Sequence, residues 1–250
     1  MRNLDMGKWR KHTLMCGNKK LETYVPDAIE FSKRNLWNFI DRYSEVIVKP
    51  TYGSRGRNIY KLSSLGKGKY EIHYKNQKQP FIDRDTAFAY LEQKIGSRSF
   101  IIQQYIPLAK IEQSLFDIRV MTQRVNLTSP WAVTGKVAKV AGSGFIVTNN
   151  RMSNGSVLPV EKAIRGAHPS ISSEKNTSLL KDIDRIALLA TESLTRYYKE
   201  QRVYGFDMAI DTQGDIWIIE VNLRPLISHF RKLQDQSMYR TIRYKYKYER

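Results

Sequence analysis

Near the C-terminal end the chain reads "GFDMAIDTQGDIWIIEVNLRP" (Gly205–Pro225), and its carboxylates Asp207 and Glu220 sit among apolar residues. Strand side chains alternate faces, so Glu220 and Asn222 point the same way. With Gln213 and Gly214 as a two-residue hairpin loop, Thr212 faces Asp215, Asp211 faces Ile216, and Asp207 faces Glu220. Asp207, Glu220 and Asn222 then meet as three oxygen donors, a set that a hard cation such as Mg2+ takes, with water and substrate phosphate in its other positions. An amide oxygen suits Mg2+ better than Zn2+. Gln-Gly is not among the strongest hairpin signals, which leaves the register open. The competing reading is a hairpin with ordinary surface acids. Against it stands Glu220 within "IWIIEVN", because a lone buried carboxylate is costly without a partner or a metal. His12, His73, His168 and His229 are scattered, form no zinc spacing and are assigned no site.

A second stretch, "VIVKPTYGSRGRNIY" (Val46–Tyr60), runs a β-branched segment into Lys49 and then into a loop with two glycines. A lysine at a strand end is a fixed point charge, and glycines let backbone N–H groups approach phosphate oxygens. The alternative is a plain turn carrying surface arginines. Asp117 and Arg119 in "FDIRV" lie two apart on one strand face and read either as a structural ion pair or as site residues. Lys139 reads either as a solvated strand residue or as a site cation.

The elements that must position these residues follow from periodicity. Asp27–Tyr43 reads as a helix, with Ile29, Leu36, Phe39 and Ile40 at helical spacing after Pro26. "EVIVKP" is a short buried strand. The stretch from Tyr60 to Ile82 reads as a hairpin turning at Gly66 and Gly68. "DRDTAFAYLEQKIG" is a helix with Gly96 as its C-cap, and "SFIIQQYIP" is a strand stopped by Pro107. "FDIRVMTQRV", "WAVTGKVAKVAG" and "GFIVTN" are strands. "TSLLKDIDRIALLATESLTRYYKE" is a long amphipathic helix. Two strands flank "TQG", and the chain from about Ile227 reads as helical. The class is α+β, without regular βαβ alternation. A seam near Pro107 gives three parts: a lead-in segment (1–22), a smaller unit with the phosphate loop (23–106), and a larger unit with the acidic hairpin and a C-terminal helix and tail (107–250).

Composition bounds the rest. The chain has 250 residues, 41% of them apolar, enough for a real core. No apolar run reaches membrane-spanning length, and "MRNLDMGKWRKHT" has no apolar stretch after its basic residues, so it is not a secretory signal. One cysteine, Cys16, excludes an internal disulfide and fits a reducing, cytoplasmic setting. The formal net charge of +18 attracts polyanions without choosing among nucleotides, nucleic acid, acidic peptides and anionic surfaces. Nucleic-acid binding is a rival reading, although no C2H2, basic-zipper or RNP1 pattern supports it.

Lys49 in "VIVKP" with its glycine loop, then "FIIQQYIP", then "FDMAID…IIEVNLRP", in that order, resemble the ATP-grasp superfamily. "KVAKVAGSGFIVTN", "YGFDMAID" and "IWIIEVNLRP" resemble its YheC/YheD-type members, described as endospore coat-associated, and the likeness runs from about Lys8 to the end. The resemblance implies an ATP-grasp fold of two α+β subdomains clasping ATP, with ATP and Mg2+ as cofactors. It implies that Lys49 contacts the α- and β-phosphates and that Lys8 is an earlier nucleotide-contacting lysine. Gly53, Ser54, Arg55 and Gly56 correspond to the loop closing over the phosphates. Gln103, Gln104, Tyr105 and Ile106 correspond to the adenine hinge, and Asp117 to the ribose-binding acid. Arg119 and Lys139 correspond to cations near the γ-phosphate and acyl-phosphate, and Asp207, Glu220 and Asn222 to the Mg2+ ligands.

Relatives usually carry a further domain ahead of these two, and with the chain starting almost at Lys8 that domain is expected to be absent. Arg224 stands where many members have a smaller residue, and its fork suits a substrate carboxylate. The expectation is an ATP- and Mg2+-dependent carboxylate–amine ligase working through an acyl-phosphate, with small-molecule or peptide carboxylate and amine substrates, acidic ones fitting the charge. The rivals are a nucleotide-binding coat component without turnover and a nucleic-acid-binding module.

Overall fold

The computed structural model describes residues 7–53, 56–142, 155–168 and 171–247. The chain separates into two compact units. One is built on Pro26–Ile106 and takes in the described residues through Arg10; the other holds Lys11–Val25 and the described residues from Pro107 onward. Helix α1 (Lys8–Cys16) starts in the first and ends in the second.

In the first unit six antiparallel strands run in the order β1-β6-β2-β3-β4-β5. They are β1 (Ala28–Glu30), β2 (Glu45–Pro50), β3 (Tyr60–Gly66), β4 (Lys69–Tyr74), β5 (Gln77–Phe81) and β6 (Phe100–Gln104). Helices α2 (Lys33–Tyr43) and α3 (Arg84–Ile95) pack on one face, where Leu36, Trp37, Ile40, Ala87 and Leu91 meet Val46, Val48, Leu62, Ile72 and Ile102. Each fully buried aliphatic side chain contributes about 1.5–3 kcal/mol. By the same alternation Lys49 and Gln103 point to the opposite face.

Two expectations are corrected here. Asp27–Tyr43 is not one helix: Ala28–Glu30 pairs with β6 as a strand, and the helix begins only after Ser32, whose hydroxyl accepts from the Asn35 N–H at 3.1 Å. The backbone groups of residues 28–30 gain ladder partners on β6, which outweighs a weak helical pattern. The hairpin after Tyr60 is a three-stranded meander, whose edge strand β5 tolerates Pro80. The helix over Arg84–Ile95 forms between an Asp83 N-cap and Gly96, as read.

The second unit carries an antiparallel sheet in the order β10-β9-β8-β11-β12, with β7 (Lys110–Ile111) paired to β8. Its strands are β8 (Ser114–Gln123), β9 (Ala132–Val140), β10 (Ser156–Leu158), β11 (Val203–Ile210) and β12 (Ile216–Asn222). The expected strand "GFIVTN" lies outside the described residues. One face packs against α4 (Val160–Ala167), α5 (Ser173–Thr195) and the end of α1, burying Phe116, Ile118, Val120, Phe206, Met208, Ile218 and Val221. Part of the other face is covered by Phe230, Leu233 and Ile242 from the C-terminal segment, which packs on Met121, Val137 and Val203. That segment is helical as α6 (Ser237–Lys247), after a single tight turn at Phe230–Lys232, not continuously from Ile227.

The β11–β12 turn also departs from expectation. Gln213 and Gly214 do not form a two-residue loop. The strands pair as Ile210↔Ile216, Ala209↔Trp217 and Met208↔Ile218, and Asp211 closes the loop. Its carboxylate accepts from the N–H groups of Gln213 (2.8 Å) and Asp215 (2.9 Å) and from the Trp217 indole (2.8 Å). That register would set Asp207 out of line with Glu220. A bulge at Ile219 adds one residue to β12, and Asp207 pairs with Glu220 after all. The extra residue also reverses the alternation. Ile216 and Ile218 enter the core before the bulge and Val221 and Leu223 after it, so Glu220 and Asn222 face away from the core.

Beyond β12 the chain turns back over the sheet at Gly205, which pairs with Asn222. A Cβ at position 205 would lie 2.3 Å from Pro225 Cβ and 3.4 Å from the Arg119 side chain. Only a glycine admits Pro225 this close.

Two expected outcomes follow. Deleting Ile219 removes the extra residue and sets Glu220 directly after Ile218, so Glu220 should still face away from the core opposite Asp207 and stability in urea should change by about 1 kcal/mol or less; a loss of about 3 kcal/mol or more, as for a carboxylate turned into the core, would contradict the bulge's role. Gly205→Ala should destabilise by about 1–3 kcal/mol, and adding Pro225→Gly should recover part of the loss. Strictly additive losses in that double-mutant cycle would show that the contact carries nothing.

Candidate functional site

On the sheet face opposite the α4–α5 core, the second unit gathers its charged side chains around Asp207. In register Asp207 lies opposite Arg119 on β8 and Glu220 on β12, and Lys139 on β9 lies opposite Asp117. The Arg119 guanidinium forks onto the Asp207 carboxylate, Nε to Oδ1 at 2.9 Å and Nη2 to Oδ2 at 3.1 Å. Lys139 Nζ donates to Asp207 Oδ1 at 2.8 Å and lies 2.7 Å from Asp117. Asn222 Nδ2 donates to Asp207 Oδ2 at 3.2 Å. The Arg119, Lys139 and Asp207 side chains are only 9%, 8% and 16% exposed.

The electrostatics are those of mutual neutralisation. Burial pushes the Asp207 carboxyl up, but Arg119 and then Lys139 outweigh it and hold it well below the usual carboxylate range. Burial likewise opposes the Arg119 cation, yet Asp207, Asp117 and Glu220 keep it firmly protonated. Lys139 is raised too, with Asp117 and Asp207 overcoming burial. Three carboxylates (Asp117, Asp207, Glu220) face two cations, which leaves one net negative charge.

His229 belongs to these surroundings, although the sequence assigned it no site. Burial, then Lys139 and Arg119, lower it to about 4, so it is neutral at physiological pH. Its segment is tied down beside the cluster: Pro225 is seated on Gly205, and the Leu226 carbonyl accepts from Arg119 Nη1 at 3.4 Å. Spacing in "NLRPLISHF" gives no hint of this, because the segment is irregular and its placement depends on the contact at Gly205. Arg224 is exposed on the same segment.

In the first unit Lys49 and Gln103 are buried together, and Lys49 Nζ donates to Gln103 Oε1 at 2.6 Å. Lys61 adds a second cation on that face, lying 3.7 Å from the Tyr105 ring centroid and 2.7 Å from Glu45. Two members of the expected adenine hinge are engaged structurally. Gln104 Oε1 accepts from the Asp27 N–H at 3.3 Å, and the Tyr105 N–H donates to the Glu45 carbonyl at 3.3 Å. Ile106 is buried. Lys8 is a loop anchor: its N–H donates to the Thr51 carbonyl at 2.9 Å and its ammonium to the Gly53 carbonyl at 2.6 Å. Gly56 takes a left-handed conformation (φ 65°). Ser54 and Arg55 lie outside the described residues.

The oxygen donors of Asp207, Glu220 and Asn222 fit a hard divalent cation in type: two carboxylates and one amide on neighbouring strands. Among the described residues no group of three or more His, Cys, Asp or Glu is gathered for a metal. Asn222 would have to present its oxygen rather than the nitrogen now donated to Asp207.

Comparison with known proteins identifies the family and the fold. A family model described as YheC/D-like ATP-grasp matches residues 2–250. Endospore coat-associated protein YheD of Bacillus subtilis (strain 168) is 26% identical over 225 residues, covering 87% of this chain and 48% of that protein. YheC of the same organism is 24% identical over 223 residues, covering 87% and 59%. The chain thus spans about half the length of the curated relatives it matches. Among solved structures, D-cycloserine synthetase DcsG aligns with a TM-score of 0.56 at 9% identity, covering 98% of this chain and 70% of its own. N5-carboxyaminoimidazole ribonucleotide synthetase from Thermotoga maritima aligns at 0.52 and 14%, covering 96% and 48%. The ATP-grasp ligase PsnB, complexed with a minimal precursor, Mg and ADP, aligns at 0.51 and 11%, covering 97% and 59%. The fold is the ATP-grasp fold, and the chain belongs to the YheC/D-like ATP-grasp family.

Proposed function

We propose that the protein is an ATP- and Mg2+-dependent carboxylate–amine ligase. The observation that carries this reading is the buried set of Arg119, Lys139 and Asp207, with Asp117, Glu220 and Asn222 around it. Two cations buried on a sheet face are weak evidence of a role in stability, since apolar side chains of like volume serve that end as well or better. Joining a carboxylate to a phosphoryl group brings several anions together, and preorganised cations offset their repulsion.

In this reading a substrate carboxylate oxygen attacks the γ-phosphorus and the bond to the bridging oxygen of ADP breaks. An amine nitrogen then attacks the acyl carbon, phosphate leaves, and the nitrogen gives up its proton. Lys49 holds the α- and β-phosphates, Lys8 and the Gly53–Gly56 loop close over them, and Gln103 with the backbone at Tyr105 and Ile106 faces the base. Arg119 and Lys139 take the γ-phosphate and the acyl-phosphate oxygens. Asp117, 2.7 Å from Lys139, is assigned to holding that ammonium rather than to the ribose hydroxyls. Arg224 forks onto the substrate carboxylate. Asp207, Glu220 and Asn222 would hold Mg2+, which when bound offsets phosphate charge and polarises the phosphoryl group.

The charge of +18 favours an acidic peptide or polymer as substrate. A peptide acceptor also has a structural parallel, since PsnB has been solved complexed with a precursor peptide. Among the described residues no helix is long and apolar enough to cross a membrane. The names of the curated relatives support a site of action at the endospore coat, and they equally favour a coat component that binds nucleotide without turnover.

ADP release separates these readings. With a panel of carboxylates and amines the wild type should release ADP only when both are present, and Glu220→Ala should lower the rate by about a hundredfold or more. Nucleotide binding with no ADP from any pair would favour the coat component.

A further inference from the structure

We infer that Arg119 and Lys139 mask Asp207, so that the site refuses a divalent cation arriving alone and accepts one only with a polyphosphate. The inference rests on the ligase reading and adds to it an order of assembly.

An ionised carboxylate offers about four acceptor positions. On Asp207 four donors occupy them: Arg119 Nε (2.9 Å) and Lys139 Nζ (2.8 Å) on Oδ1, Arg119 Nη2 (3.1 Å) and Asn222 Nδ2 (3.2 Å) on Oδ2. A metal bound to Asp207 must displace at least one of them, and two of the three donor groups are cations. Asn222 is also turned the wrong way, with its N–H rather than its oxygen toward Asp207.

Displacement by a lone metal is unfavourable for a second reason. Arg119 and Lys139 are buried, and each depends on Asp207 as an anionic partner. A buried charge stripped of its partner is strongly destabilising. A divalent ion would take the carboxylate and change the local charge from one net negative to one net positive, leaving Lys139 with Asp117 alone and Arg119 without its fork. A polyphosphate supplies what is missing. Its oxygens accept the guanidinium fork and the ammonium, Asp207 is released, and the metal then has both a protein carboxylate and phosphate oxygens.

The test is Mn2+ binding to the full chain, followed by electron paramagnetic resonance and without turnover. Wild type alone should bind Mn2+ weakly, and it should bind strongly when a non-hydrolysable ATP analogue is present, after correction for the Mn2+–nucleotide complex in solution. Arg119→Gln and Lys139→Gln should each bind Mn2+ without nucleotide about tenfold more tightly than wild type. Adding Asp207→Asn to either should abolish that gain. If the glutamine variants fail to fold, Arg119→Lys keeps a charge but loses the fork, and should show a smaller gain in the same direction.

Equal Mn2+ affinity of wild type and variants without nucleotide would overturn the mask, as would a gain that survives Asp207→Asn. A wild type that binds no nucleotide while the variants still gain Mn2+ would instead sink the ligase reading and support the mask.

Discussion

The structure of the second unit depends on one carboxylate carrying two buried cations. Asp207 neutralises Arg119 and Lys139 at once, and its own charge is tolerated only because both are there. Few other arrangements allow five ionisable groups to share one sheet face away from bulk water. It demands exact relative placement of four strands, and two local irregularities provide it. The bulge at Ile219 turns Glu220 and Asn222 toward Asp207. The missing side chain at Gly205 lets Pro225 lie against β11, and this brings the Leu226 carbonyl to Arg119. The apolar face of the sheet is regular by comparison, because a core asks only for alternation and volume.

The first unit shows the same division between a packed face and a polar one. Its helices cover Val46, Val48 and Ile102, while Lys49 and Gln103 are buried on the reverse. Lys49, buried there with its ammonium on the Gln103 amide oxygen, is the cation proposed to meet the phosphates. Lys8 bonds the Thr51 carbonyl through its backbone and the Gly53 carbonyl through its ammonium, which ties the start of α1 to the loop proposed to close over the phosphates.

The sequence was informative where the pattern is local. Strands β2, β6, β8, β9, β11 and β12 and helix α3 follow from alternation, caps and stops, and the residues Asp207, Glu220 and Asn222 follow from carboxylates lodged in an apolar strand. It was misleading where two errors cancel. A two-residue loop at Gln213–Gly214 pairs Asp207 with Glu220, and so does the observed Asp211-closed loop, but only through a bulge that no residue type announces. Asp27–Glu30 read as helix because its ladder partner on β6 lies some 70 positions along the chain. His229 and Gly205 were illegible for the same reason: their importance comes from what packs against them, not from their neighbours in sequence. The family resemblance reached further, since motif order carries information that periodicity does not.

In the proposed reaction the Arg119–Asp207 fork is the resting state of a phosphate site. A crystal structure with ADP and Mn2+ bound, with the metal located by its anomalous signal, tests it most directly. Mn2+ should be coordinated by Asp207 and Glu220, with Arg119 and Lys139 moved onto phosphate oxygens. Bound nucleotide with the fork still closed on Asp207 and the metal elsewhere would contradict it.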